Sequence, residues 1–204
     1  MTPPGIGHNS GPALDHGWRR YAWKRARREL AGARVPIEIV RIRVRRAAAL
    51  GLAYPAYASI LMGTGRDIVG FLFTVDGLQL RLRRQLEMPS EVQDRLRAVR
   101  KCSLLALSPP EEDAEPFLRE LECVAGAPFA GAAPAPAPEA GWGAARSAIR
   151  AALAPLALPG GAVVMIGARE EEARWAEAAR LARFIPSRDY FGVAAHVDSP
   201  PRPA

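Results

Sequence analysis

The longest nearly unbroken apolar run in the middle of the chain lies between Asp67 and Asp76 (Asp-Ile-Val-Gly-Phe-Leu-Phe-Thr-Val-Asp). Gly63-Thr64-Gly65 leads into it and Asp76-Gly77 leads out. An apolar run without alternation, bracketed by turn residues, reads as a strand buried on both faces, here Ile68–Thr74. Two shorter runs read the same way. Cys102–Leu107 is closed by Ser108-Pro109-Pro110, and Ala162–Ile166 is introduced by Pro159-Gly160-Gly161.

Between these runs the apolar residues recur at helical spacing. Helices are predicted over Gly77–Arg84, Ser90–Lys101, Glu111–Glu122, Trp142–Leu153 and Glu170–Ile185. Ser90 suits a helix N-cap, and Glu91, like Glu170–Glu172, suits the positive end of a helix. The tract 125–141, with Ala133-Pro134-Ala135-Pro136-Ala137-Pro138, reads as a semi-rigid extended linker. From Pro186 onward mostly coil is expected.

Ahead of the first strand the pattern is helical and basic. In Gly17–Leu30, Trp18, Ala22, Ala26 and Leu30 form one stripe, while Arg20, Lys24, Arg27 and Arg28 share another face. Pro36–Leu50 carries the helical stripe Ile37, Val40, Val44 and Ala47, with Pro36 and Gly51 as end marks. Ile37, Ile39, Ile42 and Val44 also permit a partly alternating strand there. The helix is preferred for its end marks and for Ala47-Ala48-Ala49, and it stacks Arg41 under Arg45. A short helix, Pro55–Leu61, follows.

Helical segments separating the strands favour parallel pairing with crossovers. The expected fold is α/β: a small three-stranded, mostly parallel sheet wound with helices and preceded by an N-terminal helical basic segment. The expected organisation is a tail over 1–16, a basic helical segment over 17–64, an α/β domain over 65–185 and C-terminal coil over 186–204.

Charge sharpens this picture only once it is located. The chain of 204 residues has a net charge of +7. From Asp15 to Arg46 the net is +8, and the rest of the chain carries −1. The whole excess therefore belongs to one short segment. No apolar run approaches the length of a membrane span. Met1-Thr2-Pro3-Pro4-Gly5 lacks a charged-then-apolar secretory pattern, so a cytoplasmic protein is expected. Cys102 and Cys123 read as small buried hydrophobes. No metal is expected, because His8, His16 and His196 all lie in the tails.

Gly5-Ile6-Gly7-His8-Asn9-Ser10-Gly11-Pro12 resembles an Ile-Gly-His-Asn-x-Gly-Pro leader found on otherwise dissimilar bacterial and phage-linked proteins. Trp18–Asp76, above all Arg41–Arg46 and Tyr57 through Asp67, is similar to a family of small bacterial proteins to which no activity is attached. The resemblance implies a lineage and carries no catalytic residues.

Three kinds of site are expected. Clustered arginine gains affinity for phosphate backbones through counterion release and bidentate contacts. Arg20, Lys24, Arg27, Arg28, Arg41 and Arg45 are therefore candidates for binding DNA or RNA. Arg46–Ile60 partly fits a helix-turn-helix, but its second helix has no charged or amide side chain with which to read bases. Contacts would then be to the backbone.

The alternative is a small α/β enzyme or a nucleotide- or phosphate-binding protein. Ligands of open parallel sheets bind beyond the C-terminal strand ends, and those ends supply Asp76, Ser108 and Arg169. Gly63-Thr64-Gly65 precedes a strand instead of following one, so it is no dinucleotide fingerprint, and no cofactor is expected. A third expectation is a docking surface for a protein partner. A membrane surface is the least favoured partner, although a Trp-bearing basic helix suits anionic lipid.

Overall fold

The computed structural model describes residues 35–82 and 86–192. The leader, the helix expected over 17–30 and the candidates Arg20, Lys24, Arg27 and Arg28 lie outside the described residues. The chain divides into two compact units, 1–42 and 43–204. The boundary falls inside the first helix, α1 (Ile37–Ala49), which settles the helix-or-strand alternative at 36–50 in favour of helix. In the first unit Val35, Ile37, Ile39 and Ile42 are exposed.

The second unit is a five-stranded parallel sheet wound with helices. After α1 come α2 (Tyr54–Thr64), β1 (Gly70–Phe73), β2 (Arg81–Leu82), β3 (Leu86–Glu87), α3 (Ser90–Ala98) and β4 (Ser103–Ser108). Then follow α4 (Ala114–Ala125), β5 (Gly131–Pro134), α5 (Trp142–Leu153), β6 (Val163–Gly167), α6 (Glu170–Ala178), β7 (Arg183–Pro186) and α7 (Ser187–Phe191). The main sheet runs β5-β4-β1-β6-β7, all parallel, and β2 and β3 form a separate antiparallel pair.

The three expected strands sit together at the centre. Phe71 pairs with Leu104 on one side and Val164 on the other, and Leu72 with Leu105 and Met165. Side chains alternate between two cores. Phe71, Phe73, Leu104, Ala106, Val164 and Ile166 pack into one, against buried residues of α2, α3 and α4. Leu72, Leu105, Leu107, Val163 and Met165 pack into the other, against α5 and α6. A strand pointing alternate residues into two dry layers has no polar position to offer, which explains the unbroken apolar runs.

Several expectations are corrected. The sheet has five strands and not three. The tract over 125–141 is not a linker: it forms β5 on the edge, where Leu107 pairs with Ala133 and Ser108 with Pro134. Proline is tolerated there because an edge strand leaves one row of amides unpaired. The helix expected over Glu170–Ile185 stops at Ala178, and its last turn becomes the edge strand β7. Where a helix was expected from Gly77, the described residues form a turn through Gln79 and then β2. Ser187–Phe191 is helical where coil was expected. Pro89, and not Ser90, holds the N-cap position of α3.

Arg46 ties the C-terminal end of α1 to this sheet. Its guanidinium pairs with Asp67 at 2.9 Å and donates to the carbonyls of Ile68 (2.6 Å), Arg100 and Lys101 (both 3.2 Å). Asp67 in turn accepts from the Tyr57 hydroxyl at 3.0 Å and from the Ile68 amide at 2.8 Å. Burial, with Asp67 adding to it, raises the Tyr57 phenol above its ordinary range. One arginine thus serves the loops that enter β1 and β4. Charge-assisted bonds to carbonyls that lose their partner are costly to remove. Arg46→Met should therefore destabilise the protein by about 2 kcal/mol in urea unfolding, whereas an exposed neighbour such as Arg45→Met should cost about 0.5 kcal/mol or less.

Candidate functional site at the strand ends

β1 ends in Thr74-Val75-Asp76-Gly77, a turn drawn tight by its own side chains. The Thr74 hydroxyl accepts from the Gly77 amide at 2.9 Å. A Cβ on Gly77 would collide with the Ile166 carbonyl, so only glycine lets this turn lie against β6. The turn therefore delivers Asp76 to the gap between β1 and β6. That gap is where the order of the sheet reverses direction, since the chain winds outward from β1 to β5 and then returns to β6. Ligands of open parallel sheets bind beyond the C-terminal strand ends at such a switch point.

Arg169 enters from the other side of the gap, at the N-cap of α6. It pairs with Asp76 at 2.6 Å and with Glu171 at 3.5 Å. The Arg169 side chain is 54% exposed and that of Asp76 37%, so the pair faces solvent inside a hollow. Asp76 holds the Arg169 pKa above its already high value.

Behind this pair Glu172 is 3% exposed. Its carboxylate accepts from the amides of Ala168 (2.6 Å) and Arg169 (2.9 Å). These amides sit at the positive end of α6, where a phosphate would otherwise find its donors. Gly167 leaves room for the carboxylate, because a Cβ there would lie 2.5 Å from Oε2.

Asp76, Ser108 and Arg169, each expected from its place after a strand, line one hollow of about 180 Å³ with Val75, Leu107, Pro109, Pro136 and Trp175. Their roles differ. Ser108 is fully buried and donates to the Glu112 carbonyl at 3.4 Å, so it forms the floor. Asp76 and Arg169 present their polar atoms. Pro138, Glu171 and Trp175 also line an adjoining hollow of about 290 Å³ that reaches Glu139, Arg174 and the 56% exposed Trp142. Glu171, Glu172 and Trp175 were not expected as site residues. Their only signal was the spacing of Glu172 three residues after the N-cap, which is the capping-box spacing.

Arg41 and Arg45 are exposed on α1. Tyr57 and Ile60 of α2 are buried, as a core helix requires. Among the described residues no cluster of His, Cys, Asp and Glu fits a metal ion, and no single helix is long and apolar enough to cross a membrane. Comparison with family models, with curated proteins and with solved structures finds no match.

The cysteines separate clearly. Cys123 is exposed, contrary to expectation, because it falls on the outer face of α4. Cys102 is partly buried, and burial pushes its thiol up to about 12. At pH 8 about one Cys102 in ten thousand is thiolate. A disulfide-exchange reagent at pH 8 should modify Cys123 within minutes and Cys102 only on unfolding. Two equally fast thiols in the native protein would contradict this.

Proposed function

We propose that the protein binds a small, uncharged polar molecule across the two hollows at the C-terminal strand ends. The observation that carries this reading is the solvent-facing Asp76–Arg169 pair at the switch point, walled by apolar side chains. Ligand pockets usually measure roughly 300–1,000 Å³. Each hollow alone is smaller than that, and joined past Trp175 they fall within the range. An acceptor and a donor side by side suit hydroxyl or amide groups. A phosphate suits the site less well. Glu172 already occupies the Ala168 and Arg169 amides at the mouth of α6, and Asp76 and Glu171 would repel a second anion.

Thermal unfolding with ribose and adenosine, each beside its phosphate ester, tests this. A ligand at ten times its Kd adds about 1.4 kcal/mol, which raises Tm by roughly 3–6 °C. The neutral compounds should produce that rise in the native sequence and not in Asp76→Ala. Stabilisation by the phosphate esters alone, or equal shifts in Asp76→Ala, would overturn the reading.

A second reading is phosphate-backbone binding to DNA or RNA through Arg20, Lys24, Arg27, Arg28, Arg41 and Arg45. It is supported by Arg45: among the described residues no carboxylate lies within ion-pair distance of it. Six phosphate contacts predict a slope of about −5 in log K against log salt on duplex DNA. Arg41→Ala with Arg45→Ala should reduce that slope by about 2. Affinity indifferent to salt would remove this reading.

A further inference from the structure

The opposite end of the sheet carries a feature that neither reading uses. A hollow of about 350 Å³ lies below the N-terminal end of β6, lined by Arg150, Leu153, Gly160, Gly161 and Arg180 among others, with no carboxylate in its wall. Arg66 reaches its rim, its Cδ 3.9 Å from where a Cβ on Gly161 would sit. Among the described residues none of these three arginines has an ion pair or a side-chain hydrogen bond. They come from the turn before β1, the last turn of α5 and the second residue after α6, and the fold alone brings them together.

Part of this charge has a structural explanation. α5 and α6 both end at this hollow, and each helix C-terminus presents about half a negative charge. Two helix ends offset about one of the three guanidinium charges. A surplus of about two positive charges is left around a concave surface.

Arg180 adds an independent observation. Its amide donates to the Glu177 carbonyl, and the Leu181 amide donates to Ala176, the bonding pattern of a Schellman helix end. Arg180 holds the left-handed position of that motif, at φ 56°. Glycine is the ordinary residue there, and a side chain at this φ is strained. The backbone there favours glycine, so strain is accepted to place a side chain, although a guanidinium also suits the negative end of α6. Gly160 makes the approach possible, because a Cβ on it would press to 3.2 Å on the carbonyls of Ala179 and Arg180.

We propose that Arg66, Arg150 and Arg180 form a binding site for a phosphate-bearing anion at the N-terminal end of the sheet, separate from the hollow at Asp76. Guanidinium forks match phosphate oxygens bidentately. The phosphate can belong to a free polyphosphate or to a nucleic-acid backbone.

Calorimetric titration of the full chain with pyrophosphate at low salt tests the site. Saturable binding is expected, weakened at least ten-fold by Arg150→Gln and by Arg180→Gly. The exposed, ion-paired Arg119→Gln should leave it unchanged. Arg180→Gly should also hold or raise the unfolding midpoint, so its loss of affinity cannot be loss of fold. Absence of binding overturns the proposal, as does full affinity in both site variants or equal loss in Arg119→Gln. A short DNA strand that displaces pyrophosphate and is weakened by the same two variants assigns the phosphate to a nucleic-acid backbone. Failure of the strand to displace pyrophosphate, with the variant effects intact, assigns it to a free polyphosphate.

Discussion

β1 is enclosed on every side, and the architecture follows from that constraint. Its backbone is paired on both edges, with β4 and β6, and its side chains enter two separate cores. A strand so placed must be apolar throughout and must end abruptly once it leaves the sheet. Phe71 and Phe73 commit one face to aromatic packing, with ring centroids 5.2 Å and 6.2 Å from that of Tyr190. Tyr190 closes the layer by donating to the Leu50 carbonyl at 3.0 Å, and Arg95 lies over its ring. The first polar residues after β1 consequently appear together, at Thr74 and Asp76, and at the one point where the sheet opens. The central strand and the site beyond it are consequences of the same enclosure.

That enclosure is also why the centre of the fold could be read from the chain and the edges could not. β1, β4 and β6 are buried on both faces, so their composition is forced. β5 pairs on one side only and is built from Gly131, alanines and Pro134. Alanine suits a strand squeezed between layers, yet Ala-Pro repetition has the same composition as an extended linker. β7 was hidden for a different reason. Ala178 through Arg183 contains no glycine or proline, and every residue in it is a tolerable helix former. The stop comes from Arg180 taking a left-handed conformation, which a propensity argument assigns to glycine. The site was legible to the same degree. Asp76 and Arg169 follow central strands and Ser108 ends one, and strand ends can be located from the runs themselves. Glu172 left only its capping-box spacing, and Trp175 joins the site through the path α6 takes over the sheet, which no linear pattern encodes.

Charge was the least transferable clue. The excess of arginine before β1 is a property of the sequence, but its members do unlike things. Arg46 is spent on Asp67 and three carbonyls, and holds the entry to the sheet. Arg45, one residue earlier, faces water. Beyond that segment Arg95 donates to the Gly51 carbonyl at 2.9 Å, again a structural use. A guanidinium can satisfy several carbonyls at once, so a cluster of arginines is compatible with building a fold as well as with binding a phosphate. Only the partners of each one separate the two.

The two ends of the sheet then differ in a way the backbone imposes. Helices that follow parallel strands point their N-termini to one end and their C-termini to the other, and side-chain charge settles opposite to each. At the strand ends Glu170, Glu171 and Glu172 open α6; at the far end stand Arg150 and Arg180. Compensation accounts for much of this arrangement and therefore identifies no ligand by itself. What discriminates is the remainder after compensation. Glu172 already occupies the two amides just ahead of α6, so Asp76 and Glu171 are surplus acid, and among the described residues only Arg169 pairs with them. At the opposite end three arginines meet about one charge of helix dipole, with no carboxylate in the wall. The polarity belongs to the winding of the chain; the surplus at each end belongs to this sequence, and it is the surplus that a bound molecule would meet.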